Sequence, residues 1–116
     1  MNVILEKSME YAVRIVGVYK YLLEEKRETV MSKQLLRSGT SIGANVREAL
    51  QGQSKKDFAA KMSISLKEAS ESGYWLELLN KTGYLTGKAY ESVYADYVEV
   101  IRILTAIVKS AREKRT

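Results

Sequence analysis

Apolar residues recur along this chain at alternating spacings of four and three, the period of an α-helix with one buried face. Four segments show this pattern, and polar or glycine-containing stretches separate them. The pattern predicts helices at about residues 4–26, 33–51, 55–81 and 87–111. No segment alternates cleanly between apolar and polar residues over several positions, so the sequence predicts no strand.

The first and last predicted helices each carry two apolar stripes. The first helix has a heptad seam of Leu5, Met9, Ala12, Val16, Tyr19 and Leu23 beside a second stripe of Ile4, Ile15, Val18 and Leu22. The last has a seam of Tyr90, Tyr94, Tyr97, Ile101, Leu104 and Val108 beside Val93, Val100, Ile103 and Ile107. One bundle core is not expected to cover both stripes, so we expect the extra apolar surface to contact another copy or a protein partner.

The two middle helices carry small residues on their predicted inner faces. Gly39 and Gly43 lie one turn apart, and each costs about 1 kcal/mol relative to Ala in a helix. Either another backbone packs closely against this face, which we favour, or the helix bends near residues 38–40. The third helix offers similar room, for a partner such as the glycine face of the second, at Ser65, Ala69, Ser72 and Gly73.

The connections between the predicted helices are short. Thr29 or Ser32 is expected to cap the second helix, and Ser54 with Asp57 forms a capping-box pattern at the start of the third. Four helices joined by short turns predict a single all-α domain over residues 1–116, an antiparallel up-down-up-down four-helix bundle.

Composition removes most catalytic chemistry. The 116 residues include no His, Cys or Pro, so disulfides, imidazole and thiolate metal ligands, and His- or Cys-dependent catalysis are excluded. The di-metal site of ferritin-like bundles also needs His. The remaining carboxylates are expected to form structural ion pairs: Glu48, Glu68, Glu71 and Glu77. We therefore predict no enzyme, no metal and no cofactor; any catalysis would rest on Glu, Lys or Tyr alone.

The net charge of +5 is spread unevenly. Residues 33–67 carry seven basic and two acidic side chains, residues 68–108 carry three and six, and residues 109–116 carry four and one. A basic centre and a basic tail can bind a polyanion, although the same charges can simply solvate helix faces. The candidate nucleic-acid-binding residues are Lys33, Arg37, Arg47, Lys55, Lys56, Lys61, Lys67, Lys109, Arg112, Lys114 and Arg115.

Two further features bear on function. Tyr90, Tyr94 and Tyr97 can stack on bases, but their place on an apolar seam favours packing. No apolar run approaches the roughly 20 residues of a membrane span, and charged residues interrupt the N-terminal apolar positions. We expect a cytoplasmic protein without a membrane partner.

Three segments together resemble a known family. They are residues 37–49 (RSGTSIGANVREA), residues 54–58 (SKKDF) and residues 67–76 (KEASESGYWL). They are similar to the four-helix-bundle proteins encoded by intervening sequences in bacterial 23S rRNA genes, and the similarity covers nearly the whole chain. The related accessory variability determinant of diversity-generating retroelements forms a homopentameric ring and works with a reverse transcriptase and nucleic acid.

The resemblance implies a self-assembling, nucleic-acid-associated bundle, a pentamer by analogy, with RNA, DNA or a reverse transcriptase as partner. It also implies that Asn45 bridges helices and that Glu68 or Glu71 pairs with Arg37 or Arg47. The sequence therefore leaves two hypotheses about function open. In the first, a homo-oligomer binds RNA or DNA weakly and without sequence preference. In the second, a structural or adaptor bundle mediates protein assembly without nucleic acid.

Overall fold

Four long α-helices make up the fold. The structure is a computed structural model that describes the backbone of residues 2–115 and the side chains of residues 2–113. The helices are α1 (Val3–Glu24), α2 (Met31–Leu50), α3 (Lys55–Lys81) and α4 (Gly87–Arg115), and the described chain contains no strand. The predicted all-α class is confirmed. The main difference in boundaries is that α4 continues four residues beyond its predicted end.

The helices form an antiparallel bundle in which each packs against two neighbours. The contacts are α1 with α2, α2 with α3, α3 with α4, and α4 with α1, which confirms the predicted up-down-up-down arrangement. The molecule measures 47 × 24 × 19 Å. Because successive helices alternate in direction, α1 and α3 begin where α2 and α4 end. None of these helices, over the residues described, is long and apolar enough to cross a membrane.

The small residues that the sequence placed on the inner faces of α2 and α3 are buried there, except that Gly43 is half-buried. On α1 the predicted seam is wrong. The buried face of α1 consists of Ile4, Ser8, Tyr11, Ile15 and Leu22, whereas Met9 of the predicted seam is 52% exposed. The pattern misled because the inner face contains a serine and a tyrosine whose polar atoms find partners inside the bundle.

Tyr11 shows how such a polar atom is accommodated. Its hydroxyl lies 2.9 Å from Ser72 Oγ, joining α1 to α3 diagonally across the core. Ser72 Oγ also donates to the carbonyl of Ala69 at 2.7 Å. A buried hydroxyl with a partner avoids the penalty of an unsatisfied polar group. Burial raises the pKa of the Tyr11 hydroxyl well above its usual value.

The inner face of α4 combines residues from both predicted stripes. Val93, Val100, Leu104 and Val108 are buried in the core. Tyr90, Tyr94, Tyr97 and Ile101 are half-buried at the edge of the core. The tyrosines therefore pack with their rings partly inside the bundle, as the sequence indicated.

Helix α1 packs closely against the glycines of α2. A Cβ at Gly39 would lie 2.9 Å from two side-chain carbons of Ile15, and one at Gly43 would lie 3.3 Å from Ser8 Oγ. The helix is continuous from Met31 to Leu50, so close packing rather than a bend explains these glycines. The predicted packing of α3 against the glycines of α2 is wrong, because the side chains nearest to these glycines, Ile15 and Ser8, belong to α1.

The cap of α2 also differs from the prediction. Neither Thr29 nor Ser32 caps this helix through its side chain; the carboxylate of Glu28 accepts hydrogen bonds from the backbone amides of Val30, Met31 and Ser32 at 2.7–3.0 Å. For α3 the prediction is confirmed, since Ser54 Oγ accepts a hydrogen bond from the amide of Asp57 at 3.1 Å.

Candidate nucleic-acid interface

Five candidate cations meet at one end of the bundle. Arg47 lies near the end of α2, Lys55 and Lys56 open α3, and Lys109 and Arg112 lie near the end of α4. All five are exposed, and none takes part in an ion pair with a side chain of residues 2–113. Residues distant in sequence thus form one positive surface, which we call the basic end.

The remaining candidates lie elsewhere or are neutralised. Lys33 stands in the first turn of α2, at the opposite end of the bundle, and Lys67 is exposed near the middle of α3. Lys61 Nζ lies 2.7 Å from Glu48 Oε1 and forms an ion pair with it. The side chains of Lys114 and Arg115 are outside the described residues. The structure therefore does not unite all the predicted residues on one face.

Arg37 belongs to a structural network between α2 and α3. Its guanidinium contacts Glu68 Oε2 at 3.1 Å and also pairs with Glu71. Glu71 additionally accepts a hydrogen bond from Trp75 Nε1 at 2.9 Å. The hydrogen bond from Arg37 is the main reason that the pKa of Glu71 lies below its usual value. Arg37 is therefore committed to holding helices together, as the resemblance implied.

Asn45 does not bridge helices through a hydrogen bond in the described chain. Its Nδ2 donates to the carbonyl of Ser41 at 2.9 Å, one turn earlier in the same helix. Arg47 likewise has no carboxylate partner among the described side chains. The resemblance implied that Arg37 or Arg47 pairs with Glu68 or Glu71, and only Arg37 does so. This leaves Arg47 available at the basic end.

A groove of about 700 Å³ opens at the basic end. It lies between the end of α2, the turn into α3 and the last turns of α4. Its apolar walls are formed by Ala49, Leu50, Phe58, Ala106, Ile107 and Ala111. Its polar lining comes from Gly52, Gln53, Ser54, Lys55 and Ser110. The volume falls in the range of about 300–1,000 Å³ that is usual for ligand pockets.

Phe58 and Lys55 give the groove its chemistry. Phe58, the only phenylalanine of the chain, is half-buried and packs against the core. Lys55 precedes it by one helical turn and is exposed. An aromatic side chain and a cation that forms no ion pair with a described side chain therefore line the same groove. The sequence gives no sign of the groove, because no local pattern shows that α4 passes this turn.

The other aromatic side chains have packing roles. The rings of Tyr90 and Tyr94 have centroids 5.3 Å apart, and those of Tyr94 and Tyr97 are 5.1 Å apart. The Tyr94 hydroxyl donates to Glu77 Oε2 at 3.1 Å. Burial and this carboxylate raise the pKa of Tyr94 to about 12. These side chains are engaged with each other and with α3.

The carboxylates form no metal centre in the described part of the chain. No group of three or more Asp and Glu side chains there is arranged to hold a metal ion. The predicted ion pairs are confirmed for Glu48, Glu68 and Glu71, whereas Glu77 instead accepts the hydrogen bond from Tyr94.

Comparison with known proteins identifies the family. The family model described as "23S rRNA-intervening sequence protein" matches residues 2–106. The chain belongs to the 23S rRNA-intervening sequence protein family. No curated protein matches this chain.

A solved structure agrees with this assignment. The chain is 57% identical to a protein of unknown function from the S23 ribosomal protein family of Bacteroides thetaiotaomicron VPI-5482, whose crystal structure was determined at 1.70 Å. The match covers 92% of this chain and 99% of the other, with a TM-score of 0.90.

The family match covers only part of the basic end. Arg47, Lys55 and Lys56 lie within residues 2–106, whereas Lys109 and Arg112 follow them. The groove is divided in the same way, since Ile107, Ser110 and Ala111 lie beyond the match. The last turns of α4 therefore complete a surface that the matched region forms only in part.

Proposed function

We propose that this family member is a non-enzymatic, homo-oligomeric helical protein that binds RNA or DNA weakly and without sequence preference through its basic end. The observation that carries the proposal is the convergence of Arg47, Lys55, Lys56, Lys109 and Arg112 from three helices. They are exposed, and none of them forms an ion pair with a described side chain.

The physical basis is the release of counterions from the nucleic-acid backbone. A cation that neutralises a phosphate releases condensed counterions, so affinity falls steeply as salt rises. Such contacts carry no base information, which is why we propose binding without sequence preference. Paired cations such as Lys61 and Arg37 gain less from this exchange, because each would have to leave a carboxylate.

The test compares two variants with the same net charge. The first replaces four residues of the basic end by Gln: Lys55, Lys56, Lys109 and Arg112. The control replaces four exposed lysines outside the basic end, also by Gln: Lys20, Lys26, Lys81 and Lys88. Binding of a fluorescent single-stranded RNA is measured over a series of salt concentrations.

Removal of the basic end should weaken binding at low salt. It should also reduce the slope of log affinity against log salt by roughly 0.7 for each phosphate that the variant no longer neutralises. The control should bind nearly as the wild type does. No measurable affinity of the wild type at about 50 mM salt, or equally weakened binding by both variants, would contradict the proposal.

Self-assembly is the second part of the proposal. The outer surface of α1 exposes Met9 by 52% and Val13 by 64%, and a shallow cavity of about 430 Å³ lies beside Met9 between α1 and α2. Apolar side chains grouped on one face often mark a contact between proteins. We propose that another copy covers this face, with five subunits and a reverse transcriptase partner as the family resemblance implies.

The same face favours a second candidate function, an adaptor that assembles without nucleic acid. Sedimentation combined with the RNA measurement separates the two. An oligomer that binds RNA supports the first function, an oligomer that does not supports the adaptor, and a monomer at all concentrations contradicts both assembly proposals.

A further inference from the structure

The groove at the basic end combines three features that suit an unstacked nucleic-acid base. Phe58 supplies an aromatic side, Lys55 supplies a cation beside it, and Gln53 and Ser110 supply polar side chains. Gln53 and Ser110 are exposed, and their side chains make no hydrogen bond to another described residue. They are therefore free to bind the edge of a planar, polar ligand.

Single-stranded nucleic acids bind proteins through this combination. Positive charge follows the backbone while bases stack on aromatic side chains, and each stacked base adds to the affinity whatever its sequence. Single strands also expose base edges that a duplex keeps paired. Around the groove, the other cations of the basic end can hold the phosphates on either side of an inserted base.

We propose that this groove receives an unstacked base of single-stranded RNA or DNA, with Phe58 as the stacking surface and Lys55 beside the adjoining phosphate. This inference rests on the proposed function, because the basic end first has to hold the strand. Binding of a base in the groove would make the protein prefer single strands over duplexes. A base within a duplex must first lose its pairing and stacking before it can enter the groove, which weakens binding of the duplex.

The dimensions favour a base over a helical peptide. On α4 the groove extends from Ala106 to Ala111, about 8 Å along the axis, and on α3 from Lys55 to Phe58, about one turn. A helix docked in a groove uses apolar anchors from i to i+7, a span of about 10 Å. The groove is therefore short for an amphipathic helix, and its polar lining would leave such a helix with unmatched groups.

Two variants test the groove without changing its charge. Ala106→Leu combined with Ser110→Leu fills the groove from the exposed face of α4. Phe58→Leu keeps an apolar side chain but removes the aromatic ring. The matched control is Tyr74→Leu, because Tyr74 is 57% exposed on α3 and is not part of the groove. Each variant is compared with the wild type for binding of one RNA sequence, as a single strand and as a duplex.

We expect the wild type to prefer the single strand. Both groove variants should weaken single-strand binding on the order of tenfold, which corresponds to about 1.4 kcal/mol. Duplex binding, the salt slope and the control should be unchanged. If Phe58→Leu fails to fold, as shown by circular dichroism, the filled-groove variant carries the test, since its substituted positions are exposed.

The results that would contradict the proposed function differ from those that would contradict only the binding of a base in the groove. A wild type that binds neither form contradicts the proposed function itself. A wild type that binds both forms equally, or groove variants that bind the single strand normally, overturns this inference and leaves the basic end intact. A groove variant that changes the sedimentation of the free protein would also overturn it, because the groove would then be a subunit contact.

Discussion

The aromatic ring of Tyr97 on α4 lies directly against Gly73 on α3. A Cβ at position 73 would come 2.5 Å from both Cε1 and the hydroxyl oxygen of Tyr97. Real Cβ atoms do not approach other atoms so closely, so a larger residue would force the ring or the helix to move. The absence of a side chain at Gly73 thus fixes how closely α3 and α4 approach.

Gly73→Ala should destabilise the fold. The intrinsic helix propensity of Ala is better by about 1 kcal/mol, but overpacking costs about 1–3 kcal/mol, so we expect a net loss of up to about 2 kcal/mol. The matched control is Gly17→Ala on α1, where a Cβ meets nothing within 4 Å and stability should rise by about 0.5–1 kcal/mol. Urea unfolding measures both, and a stabilised Gly73→Ala would contradict the packing.

Glu28 should make the fold sensitive to acid. Burial alone favours its neutral form, but hydrogen bonds from the amides of Met31, Ser32 and Val30 outweigh it and hold the pKa below the usual value. The ionised group therefore stabilises the folded state at pH values above the pKa of an unfolded Glu. This contribution is lost as pH falls from there through the lower folded pKa.

Glu28→Gln should lower the free energy of unfolding at neutral pH by about 1–2 kcal/mol. An amide oxygen is a weaker acceptor than a carboxylate, and the Gln NH2 group donates where the second carboxylate oxygen accepts, so at least one of the three backbone amides loses its acceptor. The difference from the wild type should shrink as pH falls below about 4.5. Glu25→Gln, a change of the same kind at an exposed position in the same connection, is the control. Equal effects of both substitutions at neutral pH would disagree with this role of Glu28.

Tyr11→Phe removes the hydroxyl that joins α1 to α3 through Ser72 Oγ. We expect a loss of about 0.5–1.5 kcal/mol, because Ser72 keeps its bond to the carbonyl of Ala69 and is not left without a partner. Tyr74→Phe, at an exposed position, should be nearly neutral. Chemical denaturation of the three proteins checks the difference, and a neutral Tyr11→Phe would show that the diagonal bond adds nothing.

Met9→Glu and Val13→Glu should weaken self-association, since burying an unpaired carboxylate in a contact costs several kcal/mol. We expect the dissociation constant to rise at least tenfold, which sedimentation equilibrium can measure. Val30→Glu is the control, because Val30 is 73% exposed just before α2 and lies away from Met9. Unchanged assembly of both α1 variants would place the subunit contact on another face.

The helices and their approximate ends could be predicted from sequence because the forces that set them act within one or two turns. The spacing of apolar residues on α2, the cap Ser54 at the start of α3 and the absence of Pro are all local. The exclusion of His- and Cys-dependent chemistry needed composition alone.

Which face of a helix is buried depends on residues that are distant in the sequence. On α1 the sequence favoured Met9 over Ser8 and Tyr11 as inner residues, because it ranks side chains by their own polarity. Tertiary contacts reversed this order: Gly43 leaves room for Ser8, and Ser72 provides a partner for the Tyr11 hydroxyl.

For the candidate site, too, some features follow from the sequence and others only from the tertiary structure. The sequence by itself determined four amphipathic helices, an excess of positive charge and the set of basic residues that are candidates for binding phosphate. Only the tertiary structure decided that Arg37 and Lys61 are paired, that Lys55 and Lys109 share one end, and that a groove opens beside Phe58. Periodicity and capping depend on neighbours along the chain, whereas charge pairing and grooves depend on which helix lies opposite.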